Sequence, residues 1–432
     1  MGHVFSTAFK VLSGLIRNVN LFFWYINFTE ITFNQKEVHV MAHSNTVLYQ
    51  MLQFIPRYEF NRIVNAHNGD KGVRKLTCFG LLVCHLYAQL TRQVSLRDLT
   101  TTIRAKLGRL YYLGIRNFSR STVAEANEKR SYKIFEGLFY LLYSRCREKS
   151  PPSKFRFRHK LYTLDSSTVD LCLSLFRWAK FRKRKGAVKI HTLLDHRGHL
   201  PCCLIVTDGK THDITAARRL RFEPDSILII DRGYIDYCWL HSVHLQDAWF
   251  VTRLKSNASY WVKKRHKVKR GSGITSNQTI RIKGTKASYI PIDLRRVRFV
   301  DKETGRAYVF LTNIFHLSAS EIAEIYKERW QIELFFKWIK QHLKIKSFFG
   351  TSRNAVLLQI YICLCAYLLL AYLKFLSKSA FDMYELKKRL EVNILEKMPL
   401  WEILRPSPKK PKTAPITWTQ LCLAGFDNML NY

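Results

Sequence analysis

Acidic residues are scarce in this chain. Its 432 residues carry 32 Asp plus Glu against 71 Lys plus Arg, a net charge of +39. The basic residues are spread through every region rather than gathered in one tail, which points to a polyanionic partner, nucleic acid first among them. A ribosome-like or membrane-surface protein would share that charge. A regular cysteine framework is also missing. The ten cysteines include adjacent Cys202 and Cys203 and the near pair Cys363 and Cys365, but no C-x2-C pair. That argues against a zinc site or a disulfide scaffold and fits a reducing compartment. A clean membrane signal is lacking too. Residues 355–373 approach spanning length, roughly 20 residues, yet Gln359 interrupts them and aromatic and basic residues follow. A buried core helix is expected there. Residues 11–28 contain Arg17, Asn18 and Asn20, too polar for a signal peptide. What is abundant is apolar residues, at 47%, enough for a globular chain of two or three domains rather than a disordered one.

Residues 1–40 carry no core pattern, and Met41 opens MAHSNTVLYQMLQFIP like a natural start. Residues 1–40 are therefore expected to be an upstream in-frame extension. Residues 41–150 read as a helical N-terminal DNA-binding domain. Leu48, Leu52, Phe54 and Ile55 begin an apolar face, and residues 76–90 form a strongly buried helix. Ser95 and Asp98 have the spacing of a capping box. Ser119 to Arg130 is a capped, short polar helix, which suits either a helix-turn-helix recognition helix or an ordinary solvated one. The segment Lys149-Ser-Pro-Pro-Ser-Lys154 is a linker.

The pattern then changes to strands. Residues 160–165, 187–194, 200–207, 226–230 and 248–253 read as five strands, with helices over 213–221 and 235–246. Three strands, helix, strand, helix, strand is the order of the RNase H-like fold, so residues 155–254 are expected to be an α/β core with a mixed five-stranded sheet. In that fold the first and fourth strands are neighbours. Asp165 ends the first and Asp231 follows the fourth, which would bring together acids 66 residues apart. Residues 255–317 read as a β-rich insertion, 318–380 as the return of the core through a charged helix and a buried one, and 381–432 as a basic tail.

The charged helix holds Tyr326, Arg329, Glu333 and Lys340, spaced Y-x2-R-x3-E-x6-K, with Lys344 one turn beyond. Intervals of three, four and seven put them on one helical face. One acid among cations suits a site that holds a metal and a phosphate backbone. Alone it would equally suit a solvated face. Three hard oxygen donors, Asp165, Asp231 and Glu333, suit Mg2+ or Mn2+.

LDSSTVD around Asp165, IIDRGYID around Asp231 and the Tyr326/Arg329/Glu333/Lys340 helix together resemble a DDE transposase of bacterial insertion sequences, with the closest likeness to insertion-sequence family four, over residues 41 to about 375. The resemblance implies that Asp165, Asp231 and Glu333 are catalytic and bind two Mg2+ ions, with Mn2+ as a substitute. Tyr326, Arg329 and Lys340 would contact phosphates at the transposon end. Lys344, Lys189, Arg253 and the run holding Arg182, Lys183 and Arg184 are further candidates for DNA. His191 is either a DNA contact or a structural strand residue, and helix capping alone would account for Asp213. The implied activity is cut-and-paste DNA transposition through a hairpin intermediate, acting on double-stranded DNA at terminal inverted repeats and at the target. A homodimer, no membrane, and a cytoplasmic, nucleoid-associated location in a bacterium go with it. One departure stands out: no Trp lies between Trp261 and Trp330, so Tyr289, Phe299, Tyr308 or Phe310 would have to hold a flipped base. A nuclease of the same fold that cuts without joining, or a DNA-binding repressor derived from a transposase, are the rival readings.

Overall fold

The computed structural model describes residues 45–405 apart from 156, 183, 184, 344 and 346. The expected extension at 1–40 therefore lies outside the described residues, as do Lys183, Arg184 and Lys344.

Among the described residues seven helices come first: α1 (Val47–Leu52), α2 (Arg57–Ala66), α3 (Cys78–Thr91), α4 (Leu96–Ala105), α5 (Leu107–Leu110), α6 (Arg120–Lys129) and α7 (Tyr132–Lys149). Their starts are written locally. Thr77, Ser95 and Ser119 each accept a hydrogen bond from the backbone amide three residues on, satisfying one of the amides that a helix start leaves free. Helix α3 is apolar on all sides because it is covered on all sides: every residue from Leu81 to Leu90 is buried.

Ten strands follow in one sheet: β1 (Leu161–Leu171), β2 (Lys180–Arg182), β3 (Lys185–Asp195), β4 (Leu200–Asp208), β5 (Ile227–Ile230), β6 (Trp249–Arg253), β7 (Tyr260–Arg265), β8 (Ile274–Ile282), β9 (Leu294–Val300) and β10 (Ala307–Thr312). The order is β2-β3-β1-β5-β6-β10-β9-β8-β7, with β4 on the free side of β3. β1, β5 and β6 run parallel, and the remaining pairs are antiparallel. The fold is thus mixed α/β with a large mixed sheet. Short helices α8 (Asp213–Ala217) and α9 (Tyr237–His244) connect its middle strands. β5, Ile-Leu-Ile-Ile, is buried at all four positions, as befits a parallel strand covered on both faces.

The segment expected as a β-rich insertion, 255–317, holds β7–β10. β10 pairs with β6, Phe310 opposite Arg253, so β7–β10 extend the central sheet. The basic run that holds Arg182 contains β2, which pairs with β3.

Helices α10 (Ala319–Lys327) and α11 (Trp330–His342) then lead to α12 (Arg353–Ser377). Among the described residues α12 is the one helix long and apolar enough to cross a membrane, but 94% of its most apolar stretch is buried inside the protein. It packs against α3, α6, α7 and β4, which explains the apolar run. Gln359, the residue that interrupts the run, accepts from the Phe349 amide (2.9 Å) and donates to the Ser347 carbonyl (2.7 Å), fixing the turn after α11. The helical and sheet regions therefore share one core through α12. Residues 381–405, expected as the start of a tail, instead hold α13 (Met383–Asn393) and α14 (Leu400–Leu404). Lys387 of α13 is buried and donates to the Leu90 carbonyl at the end of α3 (2.9 Å) while pairing with Glu391 (3.2 Å). The amides of Val47 and Leu48 donate to the carbonyls of Glu396 and Ile394, which ties the segment between α13 and α14 to α1.

Candidate active site

The register of β1 on β5 puts Leu164 opposite Ile230. Asp165 and Asp231 come next, so the two acids are neighbours; β1 runs on to Leu171, so Asp165 lies within its strand rather than ending it as expected, whereas Asp231 directly follows β5. Asp165 accepts from the Ser166 amide (2.8 Å), and Asp231 caps a short turn by accepting from the Gly233 amide (3.3 Å).

Glu333 arrives on α11. The expected single charged helix is two helices here. α10 opens with a capping box, in which Ser318 accepts from the Glu321 amide (3.2 Å) and Glu321 from the Ser318 amide (2.7 Å). It ends at Lys327, and Glu328 and Arg329 form the joint to α11. Both joint residues keep right-handed helical dihedrals, so the facing of the motif survives. Arg329 Nη2 lies 2.6 Å from Glu333 Oε1.

Burial pushes the Asp165 carboxyl up to about 6; the Ser166 amide and Arg329 oppose this, and the charges of Asp231 and Glu333 add to it. Burial works against the Arg329 guanidinium, but Glu333, Tyr326 and Asp231 outweigh it and its pKa rises. All three acids therefore act on one half-buried spot around Arg329. Such crowding is relieved by a divalent cation, and three carboxylates are the donor set a hard cation takes. Among the described residues no three His, Cys, Asp or Glu side chains already stand as a ready ligand set; the Glu333 carboxylate is engaged by Arg329 instead.

Tyr326, on α10, packs its ring on Phe310 (4.9 Å between centroids) and is buried. Burial, with Asp231 nearby, raises its phenol to about 12, while Arg329 and Arg253 pull the other way. Arg253, at the end of β6, also lies over the Tyr308 ring at 5.3 Å. Arg253 and Tyr326 thus join the acids at one edge of the sheet. Lys340 donates to the Thr168 carbonyl of β1 (3.0 Å) and so ties α11 to the strand that carries Asp165.

Lys189 and His191 take a different place from the expected DNA surface. His191 is only 2% exposed, with Nε2 2.9 Å from Thr207 Oγ1 and Nδ1 3.5 Å from Asp213 Oδ1. Burial lowers its pKa to about 4, against the pull of Asp213, so the imidazole is neutral near pH 7. Lys189 donates to the Thr211 carbonyl (3.0 Å) and pairs with Asp213 (3.3 Å). Asp213 was missed as a site residue. It opens α8 without capping it and accepts from the Ser166 hydroxyl (2.7 Å). Lys189, His191, Asp213 and Ser166 therefore form a polar layer directly behind Asp165. The signal for it was the carboxylate just after the third long strand.

A second layer lies behind the joint. Glu328 is 6% exposed, pairs with Lys154 of the linker, and has Oε2 3.7 Å from His196 Nδ1. His196 Nε2 is 2.5 Å from Thr163 Oγ1 on β1. Burial alone would raise the Glu328 carboxyl; His196 and Lys154 outweigh it and hold it at about 2.

Of the remaining expected residues, Arg182 has its backbone on β2. Among the aromatics considered for a flipped base, Phe310 is buried, Tyr308 stacks on Phe310 at 6.2 Å, Phe299 lies beneath Lys327 at 5.4 Å, and Tyr289 is exposed.

Residues 156–369, which hold all three acids, match the Transposase DDE domain family. A transposase of Sinorhizobium fredii is 34% identical over 293 residues, 67% of this chain and 81% of the relative. An insertion-sequence transposase of Geobacillus stearothermophilus is 33% identical over 271 residues, 62% of this chain and 70% of that one. The chain belongs to the DDE transposase family. This transposase also matches, over residues 43–116, a domain of unknown function, DUF4372. A solved piggyBac transposase synaptic complex with hairpin DNA aligns at a TM-score of 0.44 and 11% identity, covering 86% of this chain and 87% of that one, a likeness too distant to carry weight.

Proposed function

We propose that this transposase moves an insertion sequence by cut-and-paste, with Asp165, Asp231 and Glu333 as the catalytic carboxylates of an RNase H-like core formed by β4-β3-β1-β5-β6. The observation that carries the reading is the convergence of these acids on Arg329 beside the Leu164–Ile230 pair of β1 and β5. Two divalent ions, Mg2+ or Mn2+, held by these acids would supply Lewis-acid stabilisation of the phosphodiester and a more acidic attacking hydroxyl. The chain's own residues do the positioning. Lys340 fixes α11 against β1, and neutral His191 with Asp213 braces Ser166 beside Asp165. Arg329 pairs with Glu333, and its forked guanidinium, together with Arg253 and Tyr326, would contact a DNA phosphate. The likeness to insertion-sequence family four rests on the Tyr326-Arg329-Glu333-Lys340 spacing, and a hairpin intermediate belongs to that reading. Double-stranded DNA at terminal inverted repeats and target, a homodimer that pairs two ends, and a bacterial nucleoid location complete it.

The test uses a supercoiled plasmid carrying the inverted repeats that flank the reading frame. Wild type should nick at the repeat ends, give a hairpin band on denaturing gels, and join ends to a second plasmid. Glu333→Gln should retain end binding and lose cleavage by at least about a thousandfold, the scale of removing a transition-state stabiliser. Cleavage by that variant at the wild-type rate would sink the assignment.

A further inference from the structure

We infer that the segment 104–120, which ends the domain of unknown function, is a DNA contact in which Tyr111 and Tyr112 stack on an unpaired nucleotide. The inference rests on the reading of DNA as substrate and goes beyond it by naming a site outside the DDE domain. The segment carries Arg104, Lys106, Arg109, Arg116 and Arg120 and no Asp or Glu. All five cations are exposed. Between them Tyr111 is 67% and Tyr112 71% exposed. Single exposed aromatics are ordinary, but two adjacent rings ringed by cations are not.

The rings are held rather than loose. They stand on a single 3-10 turn, Tyr111–Leu113, closed by Gly114 at φ 74°, a left-handed conformation that favours glycine. Leu110 and Leu113 on either side are buried, anchoring the turn to the bundle. The two rings meet edge to face at 5.8 Å, which leaves ring faces open to solvent. Tyr112 also lines a cleft of about 450 Å3 with Tyr49, Arg109, Glu396 and Lys397. That is within the range, roughly 300–1,000 Å3, of small-ligand sites.

The chemistry selects the ligand. Aromatic faces bind bases without sequence preference, and Arg and Lys bind the phosphates between them. In an intact duplex the base faces are stacked on one another, so the complement is an unpaired or extruded nucleotide. Arg109 is bonded to the Leu395 carbonyl (3.3 Å) and to Glu396 (2.8 Å), side chains that are 47% and 55% exposed. An exposed pair of this kind contributes little, so a phosphate can displace Glu396. The following helix, α6, is a poorer candidate: its exposed face carries Glu125 and Glu128.

The experiment measures binding by the full chain, without divalent ions, to two probes: a fluorescent oligothymidine strand and a blunt mixed-sequence duplex. Tyr111→Ala/Tyr112→Ala should weaken strand binding about tenfold or more and change duplex binding by less than about twofold, and Tyr111→Trp/Tyr112→Trp should restore it. Equal strand binding by wild type and the Ala pair overturns the inference. So does parallel loss on both probes, which would mark a general or structural effect, or a change in sedimentation mass with strand binding kept, which would mark a protein contact. Wild type that binds neither probe would overturn the DNA reading itself, before any variant is compared.

Discussion

Glu328→Gln removes one buried charge from the joint beneath the catalytic helix while keeping the side chain's shape. The native carboxyl sits at about 2 against an ordinary 4.5, a difference of about 3 kcal/mol at neutral pH. Lys154, one of the two partners, has a side chain 64% exposed, so its share is largely screened. About 1–2 kcal/mol remains, or roughly 1–2 °C in melting temperature for a chain of this size. The pH dependence has a definite sign. A carboxyl whose folded pKa is depressed stabilises fully above about pH 4.5, and that contribution fades as the pH falls toward about 2. Calorimetric melts of wild type and Glu328→Gln should therefore differ by a constant amount from pH 5 to 8 and converge below about pH 4. A gap that persists unchanged at pH 3, or no gap at pH 7, would refute the argument. Because Glu328 adjoins Arg329, the variant should also lower the cleavage rate more than it weakens DNA binding.

Other expectations follow from the same geometry. Saturating Mg2+ or Mn2+ at pH 8 should raise the melting temperature, by about 2.7 kcal/mol of stability at a hundredfold excess over Kd, and Asp231→Asn should lose most of that rise. His191 should titrate by NMR with a midpoint near 4, protonating only below it, so the cleavage profile between pH 6 and 8 should contain no limb that His191→Gln removes. Lys340→Met breaks the bond from α11 to the Thr168 carbonyl, for which about 1–3 kcal/mol of stability should be lost in denaturant melts; an unchanged midpoint would remove Lys340 from the positioning role.

Local signals in the sequence translate well into structure here, and distant ones poorly. The capping box of Ser318 and Glu321 and the cap of Ser95 depend on residues three apart, and both form. The adjacency of Asp165 and Asp231 follows from strand order, because the parallel pairing of β1 and β5 sets Leu164 beside Ile230, one residue before each acid. Capping alone accounts for Asp213 in the sequence, because its partners, Ser166, Lys189 and His191, come from two distant strands. His191 looked like a surface residue on an alternating strand, yet α8 and Thr207 close over it. Nothing in residues 307–312 announces that they pair with β6, so the continuity of the insertion with the central sheet is not legible in the sequence. The helices at 383–404 were hidden by the Pro- and Lys-rich stretch that follows them.

Helix α12 has a consequence for damaged copies of the gene. A reading frame that stops before residue 353 makes a product whose α3 and α7 have lost the strand of apolar side chains that covers them. Such a fragment exposes the inner faces of its own helices and goes to aggregation or proteolysis. A frame cut short there is therefore expected to leave no stable folded product, which limited proteolysis of a chain ending at residue 352 would check.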